Sequence, residues 1–352
     1  MSTRDVAVIS YAASAVAKET QHNEVEIITP VIRDAVKASG MPAKKIGFTC
    51  SGSLDYLFGG PFAFVQGMDA VGAWPPIRES HVEMDAAWAL YEAWIAIQTG
   101  EVDSALIYGF SKGSLGDVAE IMTLQTDPYY LVPLWPSMFD LAALQARCYL
   151  EETGLTERDL AEVAARAQRN GLSNPHAVRK GDVSADDLLA APVRYDPLRE
   201  SDVFPVSDGA TAVVIAAGDV ARNVCERPAW IRGLEHRIEA HSLGVRDLAT
   251  SESTRAAAAA AGAGNGAVDI AELHAQFSHE ELILRDTLGL GDATVVNPSG
   301  GPLAANAIMA AGLSRIGEVA TRIHSGEANR GIAHATSGPC LQQNLVCVLE
   351  GE

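Results

Sequence analysis

Two segments of this chain repeat the same order of features at the same spacing. In the first, a helical pattern ends at Gly100, and an apolar strand pattern then leads to Ser111. In the second, the same order runs from Gly326 to Ser337 over the same number of residues. Each glycine can end its helix because it adopts the left-handed cap readily. The repeat predicts two similar α/β halves related by a pseudo-twofold axis.

Short apolar runs alternate with longer helical patterns along the chain. The predicted strands are residues 6–10, 45–50, 104–108, 210–216, 229–234, 272–277, 294–297, 331–334 and 345–349. The predicted helices are residues 26–39, 84–99, 141–152, 157–170, 280–288 and 303–325. Near-continuous Val, Ile and Leu runs are typical of strands that are covered on both faces. The alternation therefore predicts an α/β architecture with helices on both sides of the sheets.

The length of 352 residues exceeds that of one ordinary domain. We place the N-terminal half at residues 1–218 and the C-terminal half at residues 219–352. Residues 113–207 lie between the two copies of the repeat and are too many for a simple connection. We expect this insertion to cover a substrate.

Composition and charge exclude several classes of protein. Hydrophobic residues make up 48% of the chain and charged residues 20%, as in a globular protein. The net charge is -19 and no Lys/Arg-rich run appears, which argues against a nucleic-acid surface. Apolar stretches are interrupted before the ~20 residues of a membrane span. The five cysteines are scattered without a CxxC or His/Cys cluster, so we expect no metal site. Without a visible export signal, we expect a cytoplasmic protein.

Five segments match one known family in the right order. They are DAAWALYEAWIAIQTGEVDSALIYGFSKGS, VSDGATAVVIA, ELHAQFSHEEL, VNPSGGPLAANAIMAAGLSRIGE and HATSGPCLQQNLVCVLEG. With them, the chain resembles the thiolase superfamily, in its sterol-carrier-protein-x or lipid-transfer branch. The resemblance covers most of the chain and is weak over residues 113–207. It implies the thiolase fold, with two similar α/β halves in a five-layer α-β-α-β-α arrangement.

The resemblance also exposes two departures from the family's chemistry. Counting back from Gly100 places Glu83 where these enzymes have a nucleophilic cysteine. A thiolase needs a thiolate there, at a helix N-terminus that lowers its pKa. Glu83 is then either a first-turn helix acid or a general base. The Gly-His-Pro that follows the glycine turn in thiolases is replaced by residues 306–308, Asn-Ala-Ile, so the activating histidine is missing too.

The C-terminal glycine loop of thiolases carries a second cysteine, which acts as an acid or base. Alignment from Gly331 places Thr336 at that position, whereas alignment from the last strand moves the match to Gly338. Thr336, Ser337 and Gly338 are therefore candidate substrate-binding residues. Cys340 lies just beyond and is either a displaced catalytic cysteine or a packing residue.

His274 matches the pocket histidine of the family directly. There the resemblance implies a residue that holds a water or donates to the thioester oxygen as an enolate forms. Ala275 replaces the aspartate that usually follows. His279 and His334 are secondary catalytic candidates. The further candidates for substrate binding are Ser299, Gly300 and Gly301 of the glycine turn, and Asp55 and Tyr56 of a loop that could equally be plain surface.

The resemblance implies an acyl-CoA substrate and leaves three functions open. The first is non-covalent retro-aldol cleavage of a β-hydroxyacyl-CoA in lipid or steroid side-chain degradation, with the base among Glu83, His279, His334 and Tyr56. The second is a non-catalytic acyl-CoA-binding subunit. The third is acyl transfer, as in thiolysis, through Cys340. We expect coenzyme A only as part of the substrate, with no covalently bound cofactor. We also expect a homodimer, and a zinc-ribbon/OB-fold partner subunit is implied for the aldolase.

Overall fold

The structure, a computed structural model, describes residues 4–72 and 77–352. Its strands are β1 (Val6–Val16), β2 (Phe48–Gly52), β3 (Glu79–Val82), β4 (Ser104–Ser111), β5 (Val193–Tyr195), β6 (Leu198–Arg199), β7 (Asp208–Ala217), β8 (Ala229–Ile238), β9 (Ile270–Glu272), β10 (Val295–Val296), β11 (Arg330–Ser337) and β12 (Gln343–Glu350). Its helices are α1 (Glu24–Ala38), α2 (Asp55–Phe58), α3 (Ala63–Val71), α4 (Ala86–Gln98), α5 (Val118–Leu124), α6 (Met138–Thr153), α7 (Glu157–Asn170), α8 (Ala185–Leu189), α9 (Gly218–Val224), α10 (Glu252–Ala260), α11 (Ser278–Leu288), α12 (Gly301–Ala304) and α13 (Ala311–His324).

The main sheet contains the same five-strand arrangement twice. Its strand order is β10-β9-β11-β12-β8-β1-β7-β4-β2-β3. The first set, β3-β2-β4-β7-β1, corresponds strand by strand to β10-β9-β11-β12-β8. In both sets the first two pairings are parallel and the last two are antiparallel. Only Ala7 and Val8 of β1 pair with β8 to join the sets. The internal repeat in the sequence therefore corresponds to a repeat in the topology.

Helices cover both faces of each set and produce five layers. One core combines α4 and α13 with strands of both sets, including Leu90 and Leu313. On the opposite face of the first set, α1 and α3 contribute Ile28 and Ala63 to a second core. On the opposite face of the second set, α10 and α11 close a third core. The structure thus has the α-β-α-β-α arrangement and the fold expected from the sequence.

The position of α4 follows from its composition. This helix is apolar around most of its circumference, which is typical of a helix buried on all sides. Its first turn packs against β2 and β4 where those strands have glycine. A Cβ atom on Gly52 would lie 2.5 Å from the Cα of Ala86, so only glycine lets the helix come this close.

The bounds of two predicted elements were wrong because residues far away in the sequence form hydrogen bonds with their backbone. The predicted helix 303–325 is broken, because the backbone of Asn306 pairs with Ser207 instead of continuing a helix. The predicted strand 272–277 ends at Glu272, because the side chain of Asn297 accepts the N–H of Leu273 at 2.6 Å. The predicted strand 45–50 also starts later, at Phe48. The short elements β3, α3 and α10 were not predicted from the sequence.

Residues 113–207 form α5 to α8 and the small β5–β6 sheet. Part of this segment lies over the cavity described below. Within the described residues, no helix combines the length and the apolar character that a membrane crossing requires.

Candidate active site

A cavity of about 470 Å³ lies where the start of α4 meets the C-terminal loop. Its walls come from residues 83–85, 122–142, 274–280, 308–309 and 336–343, with Leu54 and His241 at further points. Much of the lining is apolar and includes the methionines Met84, Met122, Met138 and Met309. The insertion predicted to cover a substrate therefore supplies one wall.

The structure brings about half of the predicted site residues to this cavity. Glu83, His274, Thr336, Ser337, Gly338 and Cys340 line it. Asp55, Tyr56, His279, His334, Ser299, Gly300 and Gly301 are not among its lining residues. Three predicted segments thus converge, although they are distant in sequence: the nucleophile position at Glu83, the histidine segment and the C-terminal loop.

The helix that thiolases use for their nucleophile begins at Asp85 in this chain, and not at Glu83. Asp85 is the N-cap residue of α4, and its side chain accepts the N–H of Ala87 at 2.8 Å. Glu83 lies two residues earlier, in the bend that follows β3. The interpretation of Glu83 as a first-turn helix acid was therefore wrong, because the helix starts beyond it.

The Asp85 carboxylate is buried and is held by backbone N–H groups alone. In addition to Ala87, it accepts the N–H of Gly312 at 2.8 Å and that of Leu313 at 3.1 Å. Burial raises the pKa of Asp85 to about 6, while these N–H groups oppose the shift. An acidic side chain therefore occupies the start of both central helices, where their dipoles stabilise negative charge.

Glu83 is an exposed residue at the mouth of the cavity. Its Oε1 accepts the N–H of Asp55 at 2.5 Å, and its Oε2 lies 3.1 Å from Nε2 of His81. Asp55 in turn accepts the N–H groups of Phe62 and Ala63. Glu83 and Asp55 thus shape the loop between β2 and α3, and Tyr56 in that loop is 58% exposed.

His274 is buried, and the structure determines which of its nitrogens carries a proton. Its Nδ1 accepts the backbone N–H of Thr336 at 3.3 Å. Burial lowers the pKa of His274 to about 3, and His334 and Arg315 act in the same direction. The ring is therefore neutral near pH 7 and carries its proton on Nε2. This Nε2 is sealed from solvent and makes no hydrogen bond among the described residues, although the side chain of Asn306 lies beside the ring and opposes the lowering of the pKa.

Cys340 lines the cavity as a thiol, in a form that is unsuited to nucleophilic attack. Its Sγ donates to the carbonyl oxygen of Leu141 at 3.3 Å, and the residue is buried. Burial raises the pKa of this thiol to about 12. A reactive cysteine needs the opposite, a pKa lowered by cations or a helix N-terminus.

The glycine turn at residues 299–301 has a structural role. The Ser299 hydroxyl donates to Glu272 at 2.8 Å and accepts from Arg315 at 2.7 Å. Arg315 also forms a buried ion pair with Glu272. Gly300 and Gly301 have φ values of 89° and 60°, which glycine adopts without strain. The turn was expected to bind substrate, but its polar groups are directed into this buried network.

His279 and His334 each form one hydrogen bond within the interior, and Nδ1 of each ring has no partner among the described residues. Nε2 of His279 lies 3.1 Å from Oε1 of Gln145, and Nε2 of His334 lies 2.9 Å from Oδ1 of Asn344. Burial lowers the pKa of His279 to about 3 and that of His334 to about 4. Neither histidine lines the cavity, so neither is placed to take a proton from a ligand bound there.

Three acidic residues of the cavity were not predicted from the sequence, namely Asp85, Asp127 and Glu280. Glu280 is 3% exposed, and its Oε2 accepts the N–H groups of Gln276 and Phe277 at 2.7 and 3.3 Å. Burial raises its pKa to about 8. The sequence signal for Glu280 was the acidic pair that follows His279. Such a pair is equally typical of the first turn of an ordinary helix. Across the described ranges, no group of three or more His, Cys, Asp or Glu side chains is placed to hold a metal ion.

Comparison with known proteins identifies relatives along nearly the whole chain, although no family model matches it. An acetyl-CoA acetyltransferase of Methanocaldococcus jannaschii is 26% identical, over 90% of this chain and 89% of that protein. Human sterol carrier protein 2 is 24% identical over 89% of this chain, but the match spans only 64% of its own length.

Solved structures show the same fold. The Ltp2-ChsH2(DUF35) aldolase superimposes with a TM-score of 0.80 at 17% identity, over 99% of this chain and 98% of that chain. Human mitochondrial 3-ketoacyl-CoA thiolase superimposes with a TM-score of 0.79 at 15% identity, with the same coverage. Together with the duplicated five-layer architecture, these comparisons show that the chain has the thiolase fold and is similar to proteins of the thiolase superfamily, including those of the lipid-transfer type.

Proposed function

We propose that this protein is an enzyme that cleaves a carbon–carbon bond of a β-hydroxyacyl-CoA by a retro-aldol reaction, without forming an acyl-enzyme. We place the reaction in lipid or steroid side-chain degradation. The observation that carries the proposal is His274, a neutral imidazole that lines the cavity and whose buried Nε2–H makes no hydrogen bond, in a site where the one cysteine among the described lining residues is a buried thiol.

The reaction requires stabilisation of an enolate. When the bond between Cα and Cβ breaks, its electron pair moves toward the thioester and makes the thioester oxygen negative. A preorganised N–H donor beside that oxygen lowers the barrier. Nε2 of His274 is sealed from solvent, so a small movement of the ring or its neighbours must open it to the thioester oxygen. Because a buried N–H without a partner costs free energy, a ligand oxygen that then accepts from Nε2 would also relieve that cost.

The same site disfavours covalent acyl transfer. Glu83 stands where the resemblance implies a cysteine, and Asp85 occupies the actual start of α4. The Cys340 thiol remains protonated near pH 7, because burial raises its pKa to about 12. A retro-aldol cleavage needs no thiol, because it uses a base and an oxyanion donor instead.

The cavity lining fits the acyl part of a CoA ester better than the nucleotide part. Methionine side chains adapt to apolar ligands of irregular shape. No Lys or Arg occurs among the described residues that line the cavity, so its walls offer no cation to the CoA phosphates. We therefore propose that a zinc-ribbon/OB-fold subunit helps to hold the ester. The similar aldolase, Ltp2-ChsH2(DUF35), is by its name also a two-component assembly.

We further propose a homodimer that associates through the first half. Strand β3 is the outer strand of the first set, so one of its edges has no strand partner within the described chain. An edge of this kind is a ready template for strand pairing with a second copy. Light scattering at micromolar concentration tests this proposal, and a monomeric mass would contradict it.

The central experiment offers the purified chain a panel of β-hydroxyacyl-CoA esters with linear, branched and cyclic acyl groups. A parallel panel of β-ketoacyl-CoA esters with free CoA tests thiolysis, and each panel is run with and without an added zinc-ribbon/OB-fold subunit. We expect an aldehyde or ketone plus a shortened acyl-CoA from the first panel only. Tight binding without turnover in any arm would favour the non-catalytic subunit. Thiolysis with an acylated protein would favour the acyltransferase.

A further inference from the structure

We propose that Glu280 is the general base that removes the proton from the β-hydroxyl group, and that it returns this proton to the enolate. This inference rests on the proposed retro-aldol function and names the residue that the sequence left open. Glu280 lies on the same segment as His274 and lines the same cavity.

The two carboxylate oxygens of Glu280 have different surroundings. Oε2 is fixed by the N–H groups of Gln276 and Phe277. Oε1 accepts no hydrogen bond from the described chain. Unlike the buried polar atoms without a partner, it is not sealed from solvent. Because Glu280 lines the cavity, Oε1 is open to it. One oxygen thus anchors the group while the other is free to bind a ligand hydroxyl.

Among the described residues, no Lys or Arg forms an ion pair with Glu280, and the nearby Arg246 is directed to the carbonyl oxygens of Pro339 and Cys340. The titratable groups that share its cavity are Glu83, Asp85, Asp127, His241, His274 and Cys340. On the other faces of α11, Arg166 of α7 pairs with Glu281, and Tyr149 of α6 donates to Asp286 at 2.8 Å. Helix α10 packs against α11 with alanines, including Ala257 and Ala258. A carboxylate that is buried and not neutralised by a cation is a stronger base than an exposed one.

The proposed step balances without a further reactant. Glu280 takes the proton from the β-hydroxyl oxygen, and that oxygen becomes a carbonyl as the bond from Cα to Cβ breaks. The electron pair of this bond forms the thioester enolate, whose oxygen accepts from Nε2–H of His274. Cα then takes the proton back from Glu280. The products are an aldehyde or ketone and a shortened acyl-CoA, and Glu280 is again ionised.

The test uses Glu280→Gln, which separates charge from structure. Glu280 is also the third residue of α11, where its side chain binds the N-cap backbone. Glutamine serves that capping role as well, so the variant should fold. The matched control is Asp140→Asn, which changes the corresponding acid in the capping box of α6, where the side chain is exposed outside the cavity.

We expect Glu280→Gln to lower turnover of a cleavable β-hydroxyacyl-CoA by about 10²–10⁴, the usual range for loss of a general base. Wild-type turnover should rise about tenfold per pH unit and level off near pH 8, where burial places the Glu280 pKa, and the variant should lack this rise. Asp140→Asn should behave as wild type in both respects.

If Glu280 had a purely structural role, Glu280→Gln would keep the pH profile of wild type. An active wild type together with an equally active Glu280→Gln would overturn the inference and leave the retro-aldol function intact. A wild-type chain that binds the esters but cleaves none of them would overturn the proposed function itself. The affinities for 3-hydroxyoctanoyl-CoA and octanoyl-CoA provide a second readout by calorimetry. Wild type should prefer the hydroxylated ester, and Glu280→Gln should lose most of that preference.

Discussion

The carboxylate of Asp85 accepts the backbone N–H of Gly312 at 2.8 Å, so that one acidic side chain joins the N-termini of α4 and α13. Gly312 permits this contact because a Cβ atom there would lie 2.6 Å from Oδ1 of Asp85. The central layer of the fold is therefore held together at the point where the candidate active site begins.

Replacing Asp85 should weaken folding strongly. Asp85→Ala removes the N-cap of α4, which is typically worth ~0.5–2 kcal/mol. It also leaves the N–H groups of Gly312 and Leu313 without an acceptor, at roughly 1–3 kcal/mol for each buried donor. We expect a total loss above about 2 kcal/mol in denaturant unfolding. Asp117→Ala removes only the exposed cap of α5 and should cost less. Equal losses in the two variants would contradict the joining role of Asp85.

Removal of the His274 ring should affect catalysis more than stability. Loss of one oxyanion donor costs on the order of 10²–10³ in turnover. We expect His274→Ala to lower kcat on a cleavable β-hydroxyacyl-CoA by this factor and to keep a cooperative thermal transition. The ring should contribute less to substrate binding, so KM should change little. An unchanged kcat would show that the oxygen of the substrate is bound elsewhere.

Glu83→Gln should be a mild variant. Glu83 is exposed, and glutamine can still accept the N–H of Asp55. We expect turnover within about tenfold of wild type, below the 10²–10⁴ that removal of a general base costs. Assays of Glu83→Gln beside Glu280→Gln identify the base. A large loss at Glu83 alone would transfer that role to it.

Acylation of the protein should not occur. The Cys340 thiol is buried and its pKa is raised to about 12 by that burial, so almost no thiolate exists at neutral pH. Intact-protein mass spectrometry after incubation with acyl-CoA should show no acyl adduct, and Cys340→Ser should retain turnover. A stoichiometric adduct that disappears in Cys340→Ser would instead establish covalent acyl transfer.

His279 should make folding sensitive to acid. Burial lowers its pKa to about 3, whereas the unfolded chain has an ordinary histidine pKa near 6.5. The folded-state pKa is depressed, so the contribution of His279 to stability is present above pH 6.5 and is lost as pH falls from 6.5 toward 3. We expect wild type to lose about 1.4 kcal/mol more per pH unit in this window than His279→Gln. Urea titrations at several pH values measure the difference, and parallel pH dependences would contradict it.

Local and ordered patterns in the sequence were sufficient for the architecture. The apolar run at residues 104–108 predicted a strand covered on both faces, and the matched glycines at 100 and 326 revealed the duplication. The resemblance to the thiolases located His274 and the loop at residues 336–340, and the parallel pairing of β9 with β11 brings these two segments together. Strands, helix ends and the repeat depend on residues that are close together in the chain, so they can be recognised from the sequence.

The roles of individual polar side chains were decided by tertiary structure alone. Ser299 was predicted to bind substrate, but Glu272 and Arg315 hold it in the interior. Asp85 caps α4 in a position where its carboxylate also accepts the N–H groups of Gly312 and Leu313, which lie more than 200 residues away in the chain. Glu280 became a cavity residue through burial by segments from both halves. Hydrogen-bond partners and desolvation arise only when distant segments pack together, and for this reason no local pattern contains them.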